Sequence, residues 1–332
     1  MNRLLLPVVL VLILLSKTAS AQTPSTDAVS AGPHISTFSI VAYDPDSGDY
    51  GIAVQSRYFA VGEVVPHAAA GTGAIATQAR GNLQYGADGL ELLAQGMAAD
   101  KVVEQLISAD PLRDERQVAI IDQRGIAANF TGKNCLPWAG GRTGEHYAVQ
   151  GNLLTRPHVV DAMATAFETA PGDFATRLVY AIAAGQAAGG DARGRQSAAL
   201  LVVRKNGGYL GLTDRYIDLH VEDHPTPIRE LARLLKIRQA QLATGKARQQ
   251  LQRASDSEGA QRSVLIGQAR EHMQQALQLH PQDDYGWWLL ASIYLLEDQP
   301  GAAAEAAQRA LLENPAWRRL PASTRASLGV AP

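Results

Sequence analysis

The chain has 332 residues, of which 46% are hydrophobic and 19% charged, with a net charge of −2. That length and composition suit a main globular domain accompanied by a smaller one. The charge balance lacks the basic excess that nucleic acid or an anionic membrane surface requires, so neither partner is expected.

In chain order, Met1 to Ala21 reads as a secretory signal peptide. Arg3 supplies the positive end, Leu4 to Leu15 the apolar run, and Ala19-Ser20-Ala21 the small-residue cleavage site. A cut after Ala21 would start the mature chain at Gln22 in the periplasm or outside the cell, with no membrane span left after cleavage. The sole cysteine, Cys135, excludes an internal disulfide, so packing must supply the stability. Residues 22–36 are polar and turn-rich and read as a leader.

From Thr37 the pattern changes. Thr37 to Tyr43 alternates apolar residues, Asp44-Pro45-Asp46-Ser47-Gly48 makes a turn, and Tyr50 to Ser56 returns as the second strand of a hairpin. Short apolar runs at Val61–His67 and Gly73–Gln78 suggest two more strands. Gly86–Gln95 and Lys101–Ser108 carry apolar residues at helical spacing, and Gln117–Asp122 and Ile126–Thr131 form another hairpin. Gly132 to Gly144 is an irregular, glycine-bearing stretch before a strand at Tyr147–Gln150. Helices are expected over Pro157–Phe167 and Phe174–Ala184, then strands over Ser197–Arg204 and Tyr209–Val221. This order of strands, helix pair, strands, helix pair and strands is that of an α+β domain in which two sheets lie between helical layers.

A leucine-bearing helix begins near Pro225, and Ala254 to Gly259 marks a break. Beyond it, Trp287, Leu290, Ala291, Tyr294, Ala303, Ala310 and Pro315 follow tetratricopeptide spacing, and Ala269, Ala276 and Pro281 repeat part of it one unit earlier. Trp287 and Tyr294 are expected to be buried between helices. The expected organisation is a signal peptide over 1–21, a leader over 22–36, the main domain over 37–235 and a helical linker over 236–262. Repeats over 263–320 and a tail over 321–332 complete it.

Several stretches together resemble the family called domain of unknown function 1028. They are Thr37-Phe38-Ser39-Ile40-Val41-Ala42, Ala76-Thr77-Gln78-Ala79, Cys135 to Gly140, Val149-Gln150-Gly151-Asn152, Gly189 to Leu200 and Asp223-His224-Pro225. That family resembles the N-terminal nucleophile (Ntn) hydrolases. The resemblance implies a four-layer αββα sandwich, followed here by an all-α helical-repeat tail, with Thr37 as nucleophile. A chain-terminal threonine can be activated by its own α-amino group, whose pKa near ~8 suits a general base. Residues 1–36 stand ahead of Thr37, so the chemistry requires the leader to be removed, and self-cleavage between Ser36 and Thr37 is the route that the resemblance implies.

Other residues fall into candidate roles around Thr37. Gln150-Gly151-Asn152 can present amide donors to an oxyanion or be an ordinary turn. In the loop Gly189 to Ser197, Asp191 can orient Thr37 and Arg193 can clamp a substrate carboxylate, or the two can simply pair. Gln78, Asn82 and Ser197 are further candidates for the substrate pocket, whereas Ser39 and Ser56 read as sheet residues. Thr37, Asn152 and Asp191 are thus the catalytic candidates, and Gln78, Asn82, Gln150, Arg193 and Ser197 the substrate-binding ones. No metal or other cofactor is expected, since His220 and His224 cannot share a helical face. Cys135 reads as a buried small hydrophobe.

The expected activity is hydrolysis of an amide or related C–N bond in a small molecule by an exported Ntn-type enzyme. The alternative is a non-catalytic binding or scaffold protein that engages a protein partner through its tail. A homo-oligomer is compatible with the sequence and not specified by it.

Overall fold

The computed structural model describes residues 37–319. The signal peptide, the leader and the terminal tail expected from sequence lie outside the described residues. Ten strands and eight α-helices are present among the described residues.

β1 (Thr37–Asp44) and β2 (Asp49–Ser56) form the expected antiparallel hairpin. Its turn is closed by a Gly48 N–H to Asp44 O hydrogen bond of 2.8 Å, with Gly48 at a φ of 76° that glycine adopts without strain. β2 also pairs β9 (Ser197–Val203), and β9 pairs β10 (Arg215–Val221). On the other side β1 pairs β8 (Tyr147–Gly151), which pairs β7 (Gly140–Gly144). The result is a six-stranded sheet in the order β10-β9-β2-β1-β8-β7, with β1 and β2 at its centre. A second, four-stranded sheet runs β3 (Pro66–Ala69), β4 (Gly73–Ala79), β5 (Arg116–Ile121), β6 (Ala127–Thr131).

Strand alternation sorts the side chains into separate cores. Phe38, Ile40 and Ala42 of β1 join Leu200 and Val202 of β9 in a cluster with α3 (His158–Thr169) and α4 (Phe174–Ala187). Asp173 caps α4 by accepting from Thr176 N–H at 2.9 Å. Gly51 lets that helix approach the sheet, since a Cβ there would lie 2.4 Å from Leu178 Cδ1. Val41, Ile52 and Val54 point the other way and cluster with Ala74, Ala76, Ala119 and Ile121 of the second sheet. The outer face of that sheet, with Ile75, Val118 and Ile120, packs on α1 (Gln84–Ala94) and α2 (Ala99–Ser108).

The helix α5 (Pro227–Ser255) is continuous for 29 residues and passes through the boundary expected at residue 235. Its Ile228, Leu231 and Leu235 belong to the core beneath the six-stranded sheet. Ala240, Ala243, Ala247 and Ala254 belong to a separate core with α6 (Gly259–Leu279), α7 (Asp284–Leu296) and α8 (Pro300–Glu313). The change from large to small residues marks where one helix leaves one core and enters the next.

Four sequence expectations need correction. Val61–Glu63 is a 3-10 turn and not strand, entered through Ala60 in the left-handed region at φ 53°. β10 begins at Arg215, because Tyr209–Gly211 is another 3-10 turn. The stretch expected to be irregular from Gly132 to Gly144 ends in strand β7 (Gly140–Gly144), whereas the break expected from Ala254 to Gly259 is present between Ser255 and Gly259. Finally, the fully packed tryptophan of the tail is Trp288, at 2% exposure, while Trp287 and Tyr294 are only partly buried. Trp287 instead spends its indole N–H on Pro281 O at 2.8 Å. Among the described residues no helix is long and apolar enough to cross a membrane.

Candidate functional site

At one end of the layer between the sheets the packing turns polar. The strand register sets Ser197 opposite Ser56 and Ser56 opposite Thr37. On the far side of Thr37, the main-chain N–H of Asn152, just past β8, donates to the Thr37 carbonyl at 3.0 Å. Three hydroxyls and an amide therefore stand in a row across four adjacent strands. The Thr37 hydroxyl donates to Ser56 Oγ at 3.0 Å. One step along the same face, Ser39 lies opposite Gln150.

The facing sheet answers with two glutamines in register, Gln78 of β4 and Gln117 of β5. Gln78 Nε2 donates to Thr37 O at 3.1 Å and to Gln117 Oε1 at 2.8 Å, while its Oε1 accepts from Ser39 Oγ at 2.7 Å. Gln150 Nε2 donates to Ser39 Oγ at 3.3 Å and to Ala76 O at 2.9 Å. Asn152 Nδ2 donates to Gln117 Oε1 at 3.0 Å. Gln117 Nε2 reaches Gly151 O at 2.8 Å, Thr131 Oγ1 at 2.9 Å and Gly140 O at 3.2 Å. Thr37, Ser39, Ser56, Gln78, Gln117, Gln150 and Ser197 have no exposed surface, and Asn152 has 1%. Burying so many polar groups is tolerable only because they satisfy one another. Gln150 Oε1 is the exception, a buried acceptor without a hydrogen-bond partner.

Asp191 enters from the loop after α4, which turns through Gly189 at φ 127° and Gly190 at φ 62°. Its carboxylate accepts from the main-chain N–H of Arg57 at 3.2 Å, the residue following Ser56. It also takes Arg193 Nη2 at 2.8 Å, Arg193 Nε at 3.2 Å and the Arg193 main-chain N–H at 2.9 Å. The ion pair between Asp191 and Arg193 is thus formed, with the Asp191 side chain fully buried. Ser197 donates to Tyr58 O and accepts from Val61 N–H at 3.2 Å, which fastens the 3-10 turn to β9.

Seven of the eight candidates read from sequence belong to this region: Thr37, Gln78, Gln150, Asn152, Asp191, Arg193 and Ser197. Asn82 does not join them. It opens α1, where its Oδ1 accepts from Gln84 N–H at 3.1 Å and its Nδ2 faces Asp110 Oδ2 at 3.4 Å. There it lines a separate cleft with Tyr85, Asp88 and Asp110. Asp110 is raised by burial, but Arg116, the Leu112 N–H and the Tyr85 hydroxyl outweigh that and hold it below the usual carboxylate range. Cys135, read as a buried hydrophobe, is only half-buried and donates its thiol hydrogen to Arg116 O at 3.2 Å; partial burial pushes the thiol up to about 11.

Sequence reasoning missed Ser39, Ser56 and Gln117. Gln117 begins a strand, where a polar residue reads as solvent-facing. The available signal was parity: Thr37 and Ser39, and Gln150 and Asn152, are polar pairs two apart, which puts each pair on one face of a strand.

The sequence profile described as "Family of unknown function (DUF1028)" matches residues 37–231. The chain is also similar to the crystal structure of protein SPO2555 from Silicibacter pomeroyi, which carries the same family label. The two are 32% identical over 60% of this chain and 88% of that one, with a TM-score of 0.55. No curated protein matches the chain.

Proposed function

We propose a function from the premise that this chain belongs to the DUF1028 family, a family of unknown function. It is an exported amidohydrolase of the Ntn type, built on an αββα sandwich with a tetratricopeptide-like tail, and Thr37 is its nucleophile. One observation carries this reading: Thr37 stands on a central strand with its hydroxyl 3.0 Å from Ser56 Oγ inside a buried network of amides. Once residues 1–36 are removed, the α-amine and the hydroxyl belong to the same residue, and the one can serve as base to the other.

In the intact chain the Thr37 nitrogen is an amide. Removal of residues 1–36 makes it an amine able to take the hydroxyl proton, while Ser56 Oγ is positioned to pass that proton on. Thr37 Oγ1 then attacks the substrate carbonyl, the C–N bond breaks, the departing amine takes the proton, and water hydrolyses the resulting ester. Asn152 N–H and Gln78 Nε2 hold the Thr37 carbonyl, which fixes the strand end that carries the nucleophile. Gln150 Oε1 offers the unmet acceptor toward a substrate N–H. Asp191 acts from behind the nucleophile, holding the Arg57 main chain next to Ser56 and pairing with Arg193.

Intact mass and N-terminal sequencing of protein recovered from the periplasm test the reading. The expected terminus is Thr37, produced by self-cleavage after Ser36. Thr37→Ala should accumulate the form beginning at Gln22, and Thr37→Ser should be cleaved more slowly, since its rotamer is less restricted. A Thr37→Ala protein cut cleanly after Ser36 would exclude self-processing. Wild-type protein that begins only at Gln22 would remove the base and favour the second reading, a non-catalytic scaffold that binds a protein through its tail. The engagement of Asp191 by Arg193 and Arg57 is the observation on that side.

A further inference from the structure

Away from Thr37, on the edge strand of the six-stranded sheet, Asp218, His220 and Glu222 recur two apart at the end of β10 and so share one face. The 3-10 turn Val61–Glu63 lies over them, tied down by an Ala60 N–H to Glu222 O bond of 3.1 Å. Ligand atoms of Glu63, His220 and Glu222 all lie within 4.8 Å of one another. His220 Nδ1 is 3.4 Å from Glu222 Oε1. Two ligands on a tetrahedral zinc ion, each at about 2.1 Å, stand roughly 3.4 Å apart.

Three further features converge on the same point. His220 Nε2 lies 2.9 Å from Asp218 Oδ1, the arrangement in which a carboxylate holds one ring nitrogen and turns the other toward a metal. Glu222 Oε2 is out of reach of solvent and has no hydrogen-bond partner, although the rest of the side chain is part-exposed, and an unmet carboxylate oxygen favours a cation beside it. Gly62 leaves Nδ1 open, because a Cβ at that position would lie 2.6 Å from it. Arg215 offsets part of the local negative charge, but it pairs with Asp218 and not with the two glutamates.

The geometry points to a divalent metal site of the zinc class formed by His220 Nδ1, Glu222 and Glu63, with Asp218 orienting the imidazole. One imidazole with two carboxylates favours zinc over calcium or magnesium, which prefer oxygen alone. Glu63 is exposed and on a turn, so its side chain can swing the remaining distance. Three protein ligands leave a fourth position for water. The site clamps the turn to β10, and it stands independently of the hydrolase reading.

The test is calorimetric titration of the full chain, stripped with chelator, using zinc chloride alone and then calcium chloride. One equivalent of zinc should bind, with no saturable calcium uptake. His220→Ala and Gly62→Ala should each abolish that equivalent, and Asp218→Asn should weaken it about 10- to 100-fold while leaving every ligand in place. His272→Ala and His280→Ala, on the tail, should leave it unchanged. If His220→Ala proves unfolded by circular dichroism, Glu63→Gln on the exposed turn serves instead and should lose the equivalent. Failure of the wild type to bind zinc would overturn the site, as would binding that survives the loss of His220 and Glu63 or that vanishes with a tail histidine.

Discussion

Between the two sheets, the same strands carry opposite chemistry at their two ends. Toward one end Val41 of β1, Ile52 of β2, Ile121 of β5 and Leu201 of β9 form an apolar core. Toward the other, on the same face of the same strands, stand Thr37, Ser56, Gln117 and Ser197, all without exposed surface. Burial is equal, so solvent cannot explain the difference. An apolar end stabilises the fold by releasing water; a polar end only recovers, bond by bond, what desolvation costs. Cohesion alone therefore does not call for the polar end, and its residues are where a function should be sought.

The largest expected effect separates the two ends by activity. Thr37→Ala should abolish both cleavage after Ser36 and any amide hydrolysis, while costing only about 1–3 kcal/mol of stability for the hydrogen bonding lost at its buried hydroxyl. Mass spectrometry and a denaturant melt on the same sample read the two quantities. A melt shifted by several kcal/mol would make Thr37 a structural residue and collapse the contrast.

Next comes a matched pair on β5, where Gln117 and Ile121 share a face. Gln117→Leu takes the side-chain donor from Gly151 O and Gly140 O, and the acceptor from Asn152 Nδ2 and from one of the two Gln78 Nε2 bonds. At about 1–3 kcal/mol for each unmet buried group, the loss should reach about 4 kcal/mol or more even though the side chain becomes more apolar. Ile121→Val at the apolar end should cost about 1 kcal/mol. Urea denaturation of both variants decides the order, and a Gln117→Leu protein as stable as the parent would show the network to be dispensable.

Much of this architecture was legible. The β1–β2 hairpin, both helix pairs and the β5–β6 hairpin follow from periodicity and turn residues, because each is specified locally. What failed depends on neighbours far away in sequence. Gln117 gives no local sign that a second sheet covers it, and Ser56 acquires meaning only when the register brings it to Thr37. Asn82 follows β4 by only a few residues, but the turn into α1 carries it to Asp110 and away from the Thr37 network. In the tail, repeat spacing located the buried alanines Ala269, Ala276, Ala303 and Ala310 but put the packed indole one residue early, at Trp287 instead of Trp288.

The smallest expected effect lies at the outer face of the second sheet and tests whether the contrast belongs to the inter-sheet layer alone. His67 of β3 packs so closely on Gly86 of α1 that a Cβ there would lie 2.3 Å from the ring. Burial lowers its pKa from 6.5, opposed only in part by a backbone hydrogen bond at Val64, and its Nε2 has no partner. The unfolded chain therefore binds the proton more readily than the folded one. Above about pH 6.5 both states are neutral at this residue and it contributes no pH dependence. As pH falls below that value the unfolded state gains a proton first, so stability declines until the folded pKa is passed. His67→Asn removes the titration and should flatten that limb of the stability profile just below about pH 6.5, leaving the carboxylate-driven loss at lower pH. Thermal melts of both proteins across this range measure it. An unchanged slope in His67→Asn would assign the decline to other groups. A flattened slope would mean that this outer face holds its buried polar group at a cost to stability, whereas the glutamine network meets all of its own but Gln150 Oε1.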